Sequence, residues 1–327
     1  MKTFAKVTIS ALTLTLAACS ADPTGSANLG ATAGIRQGQL AKSGDSVARS
    51  TVEIISFPKS GGLIFCSASL IVTNLILTAG HCVSTEGNMY IMFSTESHLD
   101  KKEDFLKWAR PVDGYVVHPQ YKENDAMDAK DSPLPWNDIA VLHFVGTAPA
   151  GFTPAQILTD YGLLKENTPV TIAGYGVASD ADYISAFEAY KKDYEEKLKT
   201  GKIPKDAPPM NNQVEPAGKD TSGLGTLRYT DVPFLGARNA SEVLFDQHQG
   251  TGACEGDSGG PAFLKVGNDL KLFGVASRGA PRIEGSPCMK VIVYTAVAPH
   301  GKFIVEAAKQ LMTKASLASP AEYFSSK

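Results

Sequence analysis

Long blocks of basic residues are missing from this chain of 327 residues, in which 31 Lys and Arg are set against 34 Asp and Glu for a formal net charge of −3. Nucleic acid is gripped by positive charge concentrated on one face, so it is set aside as a partner. Also missing is any apolar run of about 20 residues, the length that spans a bilayer as a helix. Strand-like and helix-like segments do not alternate as they would in a parallel sheet. Histidine is scarce, and His98, His143, His248 and His300 stand at no ligand spacing, so neither a catalytic metal nor any other cofactor is expected. The acidic run with Asp125, Asp128 and Asp131 matches no recognised calcium loop and reads as a solvated surface loop.

What is present is an ordinary globular composition, 43% hydrophobic and 20% charged. This length fits one large unit, or two packed barrels with extensions. Lys2 and Lys6 precede a short apolar run from Val7 to Ala17, the layout of a secretory signal over residues 1–18. The run ends in Leu16-Ala17-Ala18-Cys19, which resembles the bacterial lipobox, in which the Cys is acylated and becomes the mature N-terminus. Two or more acyl chains give stable anchoring. The expectation is a secreted, cell-envelope protein tied to a membrane through Cys19, at the outer membrane or cell surface. Residues 19–34 are small and turn-forming and read as a flexible tether or propeptide. Five cysteines are an odd number, and lipidation of Cys19 accounts for one. Cys66, Cys82, Cys254 and Cys288 remain, and four cysteines allow three disulfide connectivities.

From about Val52 the chain becomes a series of short β-rich runs: 51–55, 68–72, 75–78, 90–93, 115–117, 139–144, 170–173, 227–232, 271–276 and 291–295. Gly, Pro and Asn separate them, which predicts an all-β fold. Two stretches differ. Residues 181–199 place Tyr183, Phe187, Tyr190, Tyr194 and Leu198 at three- and four-residue steps, one stripe of a helix inside an insertion at about 179–220. Residues 299–311, with Phe303, Ile304, Ala307 and Leu311, predict a closing helix, followed by a tail at 313–327.

Three local sequences carry chemistry: Leu77-Thr-Ala-Gly-His81-Cys82, Asn137-Asp138-Ile-Ala-Val-Leu142 and Gly256-Asp-Ser258-Gly-Gly-Pro261. A serine hydroxyl is a weak nucleophile until a base removes its proton. An imidazole, with a reference pKa near ~6.5, is suited to do so at neutral pH, and a carboxylate can orient it. The order His, Asp, Ser separates one class of such sites from others that use the same geometry. On these motifs the chain resembles the trypsin/chymotrypsin family of serine proteases over roughly residues 35–312.

The resemblance implies two packed antiparallel six-stranded β-barrels, with the C-terminal helix and the helical insertion added to them. It implies His81 as general base, Asp138 as its orienting partner and Ser258 as nucleophile, with the N–H groups of Gly256 and Ser258 as the oxyanion hole. It pairs Cys66 with Cys82 and Cys254 with Cys288. Closing a loop of about 15 residues, as the first bridge does, contributes roughly 3 kcal/mol on the chain-entropy model. It implies a zymogen, in which cleavage before Ile35 frees an ammonium to pair with Asp257; Gly34 rather than Lys or Arg precedes that bond. At the specificity position six residues before Ser258 stands Gly252 instead of the Asp of trypsin-like members, so a preference for Lys or Arg is not expected. Ser277-Arg278-Gly279 matches the strand that pairs with substrate backbone, with Arg278 where an aromatic residue is common. Ile292 falls where Gly is usual; if it projects inward the substrate pocket is shallow and takes small aliphatic residues, and if not, a medium apolar or aromatic residue fits. His118-Pro119-Gln120-Tyr121 and Gly174-Tyr175-Gly176 match scaffold positions. The expected partners are protein or peptide substrates, met by a monomer. A catalytically silent binder or adhesin of the same fold would be expected to lose a triad residue, and none is lost.

Overall fold

Apolar runs punctuated by turns close on themselves twice along this chain. The computed structural model describes residues 35–122, 135–202, 223–284 and 286–315. The signal segment, Cys19, the tether, the acidic run with Asp125, Asp128 and Asp131, residues 203–222 of the insertion and residues 316–327 of the tail lie outside the described residues. Among the described residues no helix is long and apolar enough to cross a membrane.

A short strand β1 (Gln39–Leu40) leads into six strands: β2 (Thr51–Phe57), β3 (Ile64–Val72), β4 (Leu75–Thr78), β5 (Asn88–Met92), β6 (Ala109–Val117) and β7 (Ala140–Phe144). They close as a barrel in the order β2-β3-β4-β7-β6-β5, antiparallel throughout. Strand β2, TVEIISF, is buried along nearly its whole length, its polar Thr51, Glu53 and Ser56 included. Val52 and Ile54 point into the barrel core, while Ile55 packs outside it with Met92 and Ala109. Between β5 and β6 lies a short exposed helix, α1 (Lys102–Trp108).

The second barrel follows. Strand β8 (Gln156–Ile157) precedes β9 (Pro169–Gly174), helix α2 (Ala181–Lys199), β10 (Arg228–Asn239), β11 (Glu242–Asp246), β12 (Pro261–Val266), β13 (Asp269–Gly279) and β14 (Val291–Ala296). The ring runs β9-β10-β11-β14-β13-β12 and back to β9, with β1 added beside β10 and β8 parallel to β13. Its core includes Ile172, Phe245, Phe273 and Tyr294. Two six-stranded barrels are therefore present, as expected.

Helix α3 (Gly301–Ala315) closes the described chain. It starts two residues later than expected, because Pro299 lies in the 3-10 turn Ala298–His300, and it extends past 312. Ile304, Ala307 and Leu311 enter the core of the first barrel, although the helix follows the second in sequence. Helix α2 spans the residues expected of it. Tyr190, Tyr194 and Leu198 are half-buried. Its Lys191 reaches Glu284 at 3.2 Å across exposed surface.

The barrels meet around Ser67 on β3. Its N–H donates to Ser258 O (2.7 Å), its hydroxyl donates to Gly256 O (3.1 Å), and the same Oγ accepts from Tyr175 N–H (2.9 Å). One side chain of the first barrel thus fixes the loop that carries Ser258 on the second. Both expected disulfide pairings are present, Cys66–Cys82 with Cα atoms 6.0 Å apart and Cys254–Cys288 at 4.6 Å.

Candidate active site

His81 sits in the short 3-10 turn Gly80–Cys82 directly after β4, and Asp138 lies two residues before β7. Because β4 and β7 pair, with Thr78 opposite Ala140, the two residues arrive side by side. His81 Nδ1 is 2.8 Å from Asp138 Oδ2, and the backbone N–H of His81 donates to Oδ1 at 3.0 Å. Asp138 is fully buried, whereas the His81 side chain is 29% exposed and so stays reachable from the cleft.

Ser277 adds a third bond to the buried carboxylate, its hydroxyl donating to Asp138 Oδ2 at 2.7 Å. Burial alone would raise the Asp138 pKa. The hydrogen bonds and charge of His81, with the bond from Ser277, outweigh it and hold the carboxyl below its ordinary value. An ionised, immobile acceptor at Nδ1 keeps the proton of a neutral imidazole on that nitrogen and leaves Nε2 as the basic one.

The residue before Asp138, Asn137, has φ 51°, and Trp136 before it is anchored by a second buried carboxylate. Glu242 Oε1 accepts the Trp136 N–H at 3.1 Å. The guanidinium of Arg278 grips both oxygens of Glu242, at 2.8 and 3.0 Å, and lies 4.2 Å from the Trp136 ring centroid. Burial would raise the Glu242 pKa, but the bonds and charge of Arg278 together with the Trp136 N–H bring it below the usual range. At the position where an aromatic residue is common, Arg278 thus places its cation over the Trp136 ring.

On the second barrel Ser258 follows a tight loop. Asp257 N–H donates to Cys254 O (3.2 Å), Gly259 N–H to Ala276 O (2.8 Å) and Gly260 N–H to Asp257 O (2.9 Å). The N–H groups of Gly256 and Ser258 enter no hydrogen bond among the described residues. Gly256 has φ +90°, and a Cβ there would fall 2.8 Å from Gly176 Cα and from Leu224 Cδ1. Both the left-handed backbone and the close approach require glycine.

Asp257 is turned inward. Its Oδ1 accepts from Gly176 N–H and its Oδ2 from Cys254 N–H, each at 2.8 Å, and the Ile35 N–H also donates to it. A Cβ on Gly176 would fall 2.6 Å from the Asp257 Cγ, so the Gly174-Tyr175-Gly176 segment read as scaffold is the cradle of this carboxylate. Burial pushes the Asp257 pKa up to about 7, the backbone donors offsetting only part of it. Ile35 itself is fully buried in the core of the second barrel.

Beside Ser258 opens a cavity of about 170 Å³. Its lining includes Ala253, Ser277, Gly279, Met289 and Ile292, with Arg282 among the remainder. Ile292, which also packs in the core of the second barrel, is among the residues of the cavity wall. Met289 Cγ lies 2.5 Å from where Gly279 would carry a Cβ, so Met289 narrows the cavity from the facing wall. Gly252 is a correction: it does not line the cavity but bridges to Arg36, its N–H donating to Arg36 O at 3.1 Å, and the space below it is filled by Gln247. Gln247, Met289, Arg282 and Trp136 were not singled out from sequence. Only Trp136, two residues before Asp138, stood close to a motif. The grouping of Cys66, His81 and Cys82 has the spacing of a metal site, but both cysteines are spent in the disulfide.

Two barrels, with a buried Asp–His pair on one joined through Ser277 to the cavity beside a serine on a glycine-rich loop of the other, fit the chymotrypsin-like class of serine hydrolases. The sequence profile of the trypsin family matches residues 41–187 and 189–304, and the chain belongs to that family, whose class is that of the serine endopeptidases. Among curated proteins it is similar to serine protease Hayan of Drosophila melanogaster, 25% identical over 240 residues, which is 69% of this chain and 32% of that protein. It is also similar to brachyurin of Leptuca pugilator, 26% identical over 233 residues, 67% of this chain and 77% of that one. The chain thus matches only about a third of the length of Hayan. Among solved structures, HL collagenase shares the fold, with a TM-score of 0.56 and 18% identity over 84% of this chain and 99% of that one.

Proposed function

We propose that this protein hydrolyses peptide bonds through an acyl-enzyme, with Ser258 as nucleophile, His81 as general base and then general acid, and Asp138 as the group that orients and balances the imidazolium. The observation that carries the reading is the 2.8 Å contact of His81 Nδ1 with a fully buried, ionised Asp138, whose Oδ2 also accepts from Ser277, a residue that lines the same cavity as Ser258. As Ser258 Oγ attacks the carbonyl carbon, its proton passes to His81 Nε2. The carbonyl oxygen becomes an oxyanion held by the Gly256 and Ser258 N–H groups. Collapse breaks the C–N bond, and the proton on Nε2 goes to the leaving amine. Water then repeats the sequence on the ester, freeing the acid and Ser258.

Activation by cleavage before Ile35 is supported by the burial of Ile35 and its N–H bond to Asp257. A free ammonium there would supply the countercharge that the buried carboxylate lacks. Ile292 and Met289 in the cavity wall support a preference for a small or medium aliphatic residue before the scissile bond. Two carboxylates line the cavity, but Asp257 is taken up by the N–H groups of Gly176 and Cys254 and Glu255 lies 3.8 Å from Arg282, so neither stands free to attract Lys or Arg. The protein is further proposed to act outside the cytoplasm as a monomer, held to a membrane by lipid on Cys19.

The test is fluorophosphonate labelling of the protein beginning at Ile35. Labelling of the parent that disappears in Ser258→Ala supports an activated serine. A folded parent that fails to label would overturn the reading in favour of a binding role.

A further inference from the structure

Gly252 has room for no side chain, because another residue already occupies the place. A Cβ on Gly252 would fall 2.3 Å from Cδ, 2.4 Å from Oε1 and 2.6 Å from Cγ of Gln247. Gln247 follows β11 directly and is 3% exposed. A buried carboxamide is costly unless its donors and acceptor are used. Here they are: Nε2 donates to Ala253 O and to Met289 O, both at 3.1 Å, and Oε1 accepts from Ala253 N–H at 2.7 Å. The backbone N–H of Gln247 also donates to Lys290 O at 2.8 Å.

Ala253 and Met289 both line the cavity beside Ser258, Ala253 on the segment leading to the nucleophile and Met289 on the segment after Cys288. The amide of Gln247 therefore stands behind the cavity and ties two of its walls together. From this geometry we propose that Gln247 is a specificity-determining residue: it closes the base of the substrate pocket, fixes its depth, and restricts the residue before the scissile bond to short aliphatic side chains. The inference rests on the reading of this cavity as the pocket of a serine endopeptidase.

Depth and bracing are separable. Gln247→Ala removes the volume and the bonds together. Gln247→Met keeps a side chain of similar length and removes the bonds only. The experiment compares parent, Gln247→Ala and Gln247→Met, each as the full chain and as the form beginning at Ile35, on one peptide series differing only in Ala, Val, Leu, Met or Phe before the cleaved bond. Each preparation is also labelled with fluorophosphonate. The expected result is that Gln247→Ala raises the ratio of kcat/KM for Met or Phe over Val by about tenfold or more, the order that one or two methylenes are worth in an apolar pocket. Gln247→Met should leave that ratio near the parent value and raise KM across the whole series. Variants that label like the parent but leave the ratio within about twofold would overturn the inference while the endopeptidase reading stands. A parent that does not label at Ser258 would overturn the endopeptidase reading, and this inference with it.

Discussion

Arg36 Nε lies 2.9 Å from Asp180 Oδ1, with Asp180 buried and Arg36 largely so, 7% and 12% exposed. The other oxygen of Asp180 accepts from the Ser286 hydroxyl at 2.6 Å, and Ser286 Oγ in turn accepts from Cys288 N–H at 3.0 Å. The residue after Ile35 is thereby joined to the start of α2 and to the segment that enters the cavity wall at Pro287 and Met289. Removing one partner of a buried pair leaves an uncompensated charge and typically costs about 3–5 kcal/mol. Asp180→Ala is expected to lower stability by about 3 kcal/mol and to raise KM as the wall loosens. Urea unfolding checks the first and initial-rate kinetics the second. A change below about 0.5 kcal/mol would show that the pair is not braced.

Asp138→Asn tests the proposed orienting role. An amide at this position can donate to Nδ1, which favours the wrong tautomer of His81. The expected loss is roughly 10⁴-fold in kcat with little change in KM, a magnitude taken from related serine proteases. A loss under tenfold would remove Asp138 from the mechanism.

Gly256→Val combines two penalties, a left-handed φ of +90° and contacts at 2.8 Å with Gly176 and Leu224. The loop must shift, and with it the N–H groups proposed to hold the oxyanion. Loss of one such donor costs about 10²- to 10³-fold in kcat. Single-turnover acylation by an active ester should fall by at least that much while circular dichroism still reports a folded β protein. Acylation at the parent rate would contradict the assignment.

Glu53 sets a pH dependence of stability. It is fully buried on β2 and takes a hydrogen bond from the Ser97 hydroxyl, but burial dominates and pushes its pKa up to about 8 from 4.5. Between those values the folded protein holds a proton that the unfolded chain has released. By linkage, stability falls as pH rises from about 4.5 to about 8. Asp257, pushed up to about 7, acts in the same direction while Ile35 carries no free ammonium. Stability curves at a series of pH values should show a shallower decline for Glu53→Gln than for the parent. Parallel curves would mean that Glu53 is ionised when folded.

What could be read in the sequence was whatever local pattern encodes. The His81, Asp138 and Ser258 motifs are contiguous, and the stripe of α2 is nineteen residues long, enough for a 3.6-residue period to show. Strand β11, EVLFD, and helix α1, KEDFLKW, were not anticipated, because five to seven residues hold too little periodicity. Strand β12 was hidden behind the glycines of the Ser258 motif. The relation of Gln247 to Gly252 and Met289 has no local signature at all. It exists only once β11 and β14 pair and bring the segments at their ends together. The same holds for Arg278, whose partners Glu242 and Trp136 come from the other end of β11 and from the other barrel.

Helix α3 gives its apolar face to a barrel whose strands were all made before residue 145, and His300 at its head meets Asn137 at 3.2 Å, next to Asp138. A ribosome therefore delivers the last structural part of the first barrel only after the whole second barrel has been synthesised. Until then β6 and β7, against which the helix packs, lack that cover, and the segment carrying Asp138 lacks its brace. The order of synthesis thus leaves the segment carrying Asp138 unbraced until His300 and helix α3 have been made, and the proposed hydrolysis would await them.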